Sequence, residues 1–191
     1  LVYRIVRSGG PFASLLAGMY FFSLSRALIQ SSLGLILKDA FGLPTKYAGF
    51  AISGSQALSA LVQAVVLPFL LKRFTVRSIV IVSMWAAAVG YVAEAFSVEA
   101  WAFCAGLLVV SCFSGVADTL NKSHFASRFA TTRGGEVMSV VYSIDGCNRV
   151  VGPLLGSFLM HQFADLALVP VMASCVTALL ASMLVTFLAV E

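Results

Sequence analysis

Charge is what this sequence has least of. Only 10% of its 191 residues are Asp, Glu, Lys or Arg, against about a quarter in an ordinary soluble domain. A water-facing surface needs roughly 25–35% charge. A soluble enzyme, a disordered chain and a typical nucleic-acid binder are therefore excluded. Histidine is scarce too, with His124 and His161 alone. The four cysteines, Cys104, Cys112, Cys147 and Cys175, lack metal-ligand spacing and read as small apolar packing residues. No metal, nucleotide or prosthetic group is implied. The opening LVYRIVRSGG carries two arginines and no cleavage pattern, so it is not a short signal peptide. It begins with Leu1 and not Met, which suggests a chain cut from something longer.

Apolar residues fill the space left by charge. They make up 60% of the chain, and mean hydropathy is +1.00. A membrane helix needs about 20 mostly apolar residues to cross roughly 30 Å of hydrocarbon. Six such runs are present, so the expected fold is all-α: a polytopic membrane protein with six transmembrane helices. Residues 1–10 read as a linker and 11–191 as the bundle, with helices near 11–38, 46–72, 77–97, 99–128, 134–161 and 164–190. The runs are continuous, without the ten-residue alternation of barrel strands.

The few charges orient the bundle. Six spans put both ends on one side. Arg4, Arg7, Lys72, Arg73, Arg77, Arg128 and Arg133 fall on that side, against Lys38 and Lys46 on the other. By the positive-inside rule both termini are cytoplasmic. Glu94, Glu99 and Asp165 fall on the outer side. The basic balance belongs to these loops and does not call for a nucleic-acid partner.

Charges at membrane depth carry the functional information. Each costs at least ~2.5–3.5 kcal/mol at a helix centre, and they face a bundle interior or a wet cavity. The first helix offers Ser23, Arg26 and Gln30 at i, i+3 and i+7, with Arg26 ~22 Å along the axis. It reads either as a cavity-lining cation or as an arginine paired with an acid on another helix. The fourth offers Ser111, Ser114, Asp118 and Asn121 or Lys122 on one face. Asp118 and Lys122 are at pairing distance within the helix and read either as a pair neutralised near the inner interface or, for Asp118, as a coupling acid. The fifth offers Tyr142, Asp145 and Arg149, with an Asp145–Arg149 ion pair as the first expectation. Gly152-Pro153 and Gly156 follow; the proline removes a backbone hydrogen bond and the glycines admit a close neighbour. In the second helix Gly49, Ser53, Ala57, Ala60 and Ala64 form a small-residue face suited to tight helix contact.

Three stretches together resemble one half of a major facilitator superfamily transporter. They are the basic turn between helices 2 and 3, the Phe41-Gly42-Leu43-Pro44 turn with Tyr47-Ala48-Gly49-Phe50, and Gly146, Gly152-Pro153 and Gly156 in helix 5. The basic segment before the first helix is similar to the superfamily's central loop, and Thr131-Thr132-Arg133-Gly134-Gly135 to its tenth-to-eleventh connection. The chain is thus identified as a C-terminal six-helix half, nearest the tetracycline-resistance-like and organic-cation-transporter-like drug:proton antiporters. One departure stands out: Lys72 occupies the aspartate position of the family's loop signature, and both glycine positions are lost around Lys72, Arg73 and Arg77. The salt-bridge role of that aspartate does not carry over.

The resemblance implies roles. The first and fourth helices of a half line the central cavity, which puts Ser23, Arg26, Gln30, Ser114 and Asp118 on the substrate pathway. Asp118 and Asp145 are the candidates for proton coupling. The second and fifth helices meet the other half, which makes Asp145, Arg149, Gly152, Pro153 and Gly156 a gating and bending run. The expected function is secondary active transport of a small solute, an organic cation or drug, by alternating access. The implied partners are the lipid bilayer, the solute and an N-terminal six-helix half. A non-transporting six-helix scaffold or truncated pseudo-transporter is the alternative. An intramembrane enzyme is the remote one. Asp145-Gly146-Cys147-Asn148-Arg149 resembles a CDP-alcohol phosphotransferase signature, but the next acid, Asp165, lies at the far end of the helix. A serine protease would need a histidine level with Ser55, and neither His124 nor His161 is.

Overall fold

The computed structural model describes the backbone of residues 11–129, 134–162 and 169–190, with side chains at 16–123, 135, 138–162 and 169–186. The linker 1–10 with Arg4 and Arg7, the connection 131–133 with Arg133, and residues 164–168 lie outside these, as do the side chains of His124 and Arg128. The described residues form helices joined by short turns. They are α1 (Pro11–Asp39), α2 (Thr45–Arg73), α3 (Val76–Ala95), α4 (Ala100–Phe129), α5 (Gly134–Gln162) and α6 (Val169–Val190). Five are long and apolar enough to cross a membrane. The sixth, α5, has the length at 29 residues, but Asp145, Asn148 and Arg149 interrupt its apolar run.

Local chemistry sets the turns. Gly42 has φ +62°, a conformation that costs a glycine little, and Leu43 N–H donates to the Leu37 carbonyl across it at 3.0 Å. Pro44 then opens α2. The turn from α2 to α3 is two residues long, and Thr75 caps α3 by accepting from Ser78 N–H. Lys72, Arg73 and Arg77 are exposed there, and the Arg73 guanidinium lies 5.2 Å over the Phe69 ring. α3 stops at Ala95 because Phe96 leaves the helical region, while Ser97 Oγ donates back to the Glu94 carbonyl.

Within α2, a π-helical turn over Val62–Val66 separates two α-helical stretches, Thr45–Leu61 and Leu67–Arg73. Pro68 follows it and cannot donate to the carbonyl one turn back, the kind of defect a π turn absorbs.

α1 packs against α6 and α5, α3 lies against α4 and α6, and α2 lies against α4. One core cluster gathers Phe22, Val80, Met84, Ala87, Val116, Ala117, Leu120 and Ala181 at the end bearing the basic turn. The other gathers Ile29, Leu33, Ile36, Leu37, Tyr91, Phe103, Val110 and Val171 toward the opposite end. Trp85 Nε1–H ties α3 to α6 through Thr186 Oγ1 at 3.0 Å.

Close approaches sit where glycines permit them. A Cβ at Gly90 would lie 2.6 Å from Val110 Cγ2, and one at Gly106 2.8 Å from Glu94 Cγ. The α2–α4 seam does not use the small-residue face of α2. The small face Gly49, Ser53, Ala57, Ala60 and Ala64 is exposed and touches nothing that closes it within this bundle. The tight contact uses the neighbouring row instead. Ser59 Oγ donates to the Ser111 carbonyl at 2.7 Å, Thr119 Oγ1 donates to Gln63 Oε1 at 2.8 Å, and a Cβ at Gly115 would lie 2.6 Å from Ser59 Oγ. Hydrogen-bonding groups chose the seam, since in lipid each polar side chain must find a partner. Ser55 is fully buried on the same row and donates to the Ile52 carbonyl.

Candidate functional site

Three helices turn their charged residues toward one place. α1 contributes Ser23, Arg26, Ala27, Gln30 and Ser31; α4 contributes Asp118 and Lys122; α5 contributes Asp145, Arg149 and Pro153. Together they line a cavity of about 280 Å³. Each set follows from helical period, since residues at i, i+3, i+4 and i+7 share one face.

The charges are joined across the helices. Arg26 Nη1 lies 3.2 Å from Asp118 Oδ2, bridging α1 to α4. Lys122 Nζ reaches the same Asp118 oxygen at 3.0 Å and Asp145 Oδ2 at 2.5 Å, bridging α4 to α5. Ser23 Oγ donates to Asp145 Oδ1 at 2.7 Å. The Lys122 ammonium also lies 5.9 Å from the centre of the Tyr142 ring. These groups are part-exposed, Arg26 and Asp118 by 26% and 29% of their side chains, so the cluster borders an open cavity and is not sealed within this bundle.

Arg26 is therefore both a cavity-lining cation and an ion-pair partner for an acid on another helix. Asp118 and Lys122 pair within α4. The expected Asp145–Arg149 pair does not form. Lys122 and Ser23 take both oxygens of Asp145, and Arg149 makes no ion pair among the described residues. Ser114 is also placed differently. It is buried, its hydroxyl points at the Ser111 carbonyl at 3.5 Å, and it does not line the cavity. Lys122 emerges as the residue that joins the cluster. The sequence makes Lys122 a partner for Asp118 within the helix, and its link to α5 depends on tertiary packing that the spacing does not show.

On the α5 side facing α1, Asn148 Nδ2 donates to the Tyr20 carbonyl at 3.1 Å. Gly152 and Gly156 continue that row. A Cβ at Gly152 would stand 2.5 Å from Ala27 Cβ and 2.8 Å from its carbonyl carbon; one at Gly156 would stand 2.6 Å from Ser32 Oγ. The row holds α5 against α1, while Asp145, Arg149 and Pro153, one residue further round, line the cavity. Pro153 has no N–H, so the Arg149 carbonyl lacks its helical donor.

Long apolar helices whose described mid-helix charges gather around a cavity, the others lying at helix ends and turns, define an integral membrane protein of the polytopic helical class. Sequence comparison agrees: the chain matches the Major Facilitator Superfamily over residues 15–191 and belongs to that family of transporters. It is similar to the tetracycline resistance protein, class D, of Salmonella ordonez, 25% identical over 128 residues. That match takes in 67% of this chain and 32% of the relative, about a third of the relative's length.

Proposed function

We propose that this six-helix unit is the C-terminal half of a secondary active transporter that moves a small solute by alternating access, with both termini cytoplasmic. The observation that carries the reading is the cavity between α1, α4 and α5, in which every described charge at mid-helix depth is collected. Transporter sites of this kind sit near the bilayer midplane and are exposed to each side in turn as one bundle rocks against another. An N-terminal six-helix half closes the cavity. The exposed faces of α2 and α5, including the Gly49–Ala64 row, meet it. Gly152, Pro153 and Gly156 give the α1–α5 seam its close, bendable fit.

Proton coupling falls to Asp118 and Asp145. Both are held by Lys122, so a proton arriving on Asp145 breaks the α4–α5 link and leaves the ammonium to Asp118, whereas one arriving on Asp118 leaves it to Asp145. Proton exchange against solute would match the drug:proton antiporters that the sequence resembles. The test is solute movement driven by a pH gradient in vesicles holding the full-length protein, screened with mixed organic cations and anions. Asp118→Asn and Asp145→Asn should each reduce gradient-driven accumulation to the level of empty vesicles while leaving passive exchange. Full gradient-driven transport in both variants would remove the coupling role.

A further inference from the structure

We infer that the transported solute carries an anionic group, a carboxylate, sulfonate or phosphate, and that Arg149 receives it. This rests on the transport reading above and names the substrate class for the same cavity. The lining holds three cations, Arg26, Lys122 and Arg149, against two acids, Asp118 and Asp145. Two of the cations are used. Arg26 and Lys122 both contact Asp118, and Lys122 also contacts Asp145, whose other oxygen accepts from Ser23. Arg149 is left over. It is exposed and makes no ion pair among the described residues, although Asp145 lies one turn away on the same helix.

A guanidinium cannot shed its proton to escape this position. An uncompensated charge at membrane depth is costly, and such residues mark substrate and ion pathways. An anionic solute supplies the missing charge, and a planar guanidinium takes a carboxylate or phosphate through two parallel hydrogen bonds. The surroundings suit such a guest. The Gln30 amide lines the same cavity, and the Arg149 carbonyl, left without its helical donor by Pro153, offers an acceptor for a solute hydroxyl or N–H. A cationic solute finds the opposite: neither acid in the described lining is unpaired.

The charge preference of the cavity can be read without knowing the solute. In the full-length protein in vesicles, Ser31→Cys places a thiol in the lining, with Cys147, the exposed native thiol, changed to serine. Two reagents matched in size are compared, anionic sulfonatoethyl methanethiosulfonate and cationic trimethylammonioethyl methanethiosulfonate, each normalised to its rate with a free thiol. The anionic reagent should react about tenfold faster, the low end of focusing by a charged cleft. Arg149→Gln should bring the ratio near parity, and Arg149→Lys should keep it. A faster cationic reagent, an unchanged ratio in Arg149→Gln, loss of the ratio in both variants, or a thiol that neither reagent reaches would each overturn the inference. The transport reading fails separately. Labelling of residue 31 from one side of the membrane only, at every pH and gradient tried, would sink alternating access and leave the anion preference standing.

Discussion

Glu94 is the residue whose surroundings fit it least. It is fully buried in α3 against Gly106, and neither carboxylate oxygen has a hydrogen-bond partner among the described residues. A buried polar group without a partner costs about 1–3 kcal/mol, and replacing it with an apolar group of similar shape recovers that cost. Glu94→Met keeps the length of the side chain and its packing on Gly106. It should raise the thermal midpoint of the full-length protein in detergent by several degrees, at roughly 2–4 °C per kcal/mol for a chain of this size. A midpoint that falls would mean the carboxyl has a partner that the bundle alone does not supply. From sequence, Glu94 reads as an acid near the outer end of the third helix, on the same side as Glu99. Its burial is invisible there, since it depends on Gly106 bringing α4 close. The cavity residues were more legible. Ser23, Arg26, Gln30, Asp118 and Asp145 stand out as charges and polar groups spaced by helical turns in apolar runs. The choice of partners was not legible, because Lys122 reaches Asp145 across two helices while Arg149, one turn from the same acid, does not.

Along α5 three adjacent rows, each stepping by four residues, have different neighbours, and the difference predicts how each glycine tolerates a methyl group. Asn148, Gly152 and Gly156 face α1; Asp145, Arg149 and Pro153 line the cavity; Gly146, Val150 and Leu154 are exposed. At Gly152 the added methyl meets the backbone of Ala27, which cannot move without shifting α1. Gly152→Ala should therefore cost about 1–3 kcal/mol, the usual range for overpacking. At Gly156 the nearest atom is Ser32 Oγ, a hydroxyl that can rotate away, so Gly156→Ala should cost less. Gly146 has nothing within 4 Å of its missing Cβ among the described residues, and Gly146→Ala should cost least of the three, offset by up to about 0.5–1 kcal/mol of helix propensity. Thermal unfolding of the three variants checks the order, and equal effects would refute the seam. The sequence shows the glycines and their spacing, and it marks the six helices through long apolar runs, that of α5 interrupted by Asp145, Asn148 and Arg149. It does not show which row a glycine belongs to. The same gap explains α2, where the small-residue face lies open and Ser59 and Gln63 hold the seam to α4 through hydrogen bonds.

For the whole molecule, the distribution of exposed charge predicts the direction in which the bundle sits. The turn between α2 and α3 exposes Lys72, Arg73 and Arg77 within six residues, whereas the turn at the other end of α2 exposes Lys38 and Lys46 with Asp39 beside them. Basic residues close to span ends favour the cytoplasmic side, and acidic ones contribute little, so the α2–α3 turn governs. Two single cysteines test this in the full-length protein. Phe74 and Lys46 are both exposed and lie at opposite ends of α2. Lys46→Cys should react with a membrane-impermeant maleimide on intact cells. Phe74→Cys should react only after the membrane is opened. The reverse pattern would invert the bundle, and with it the side on which both termini lie.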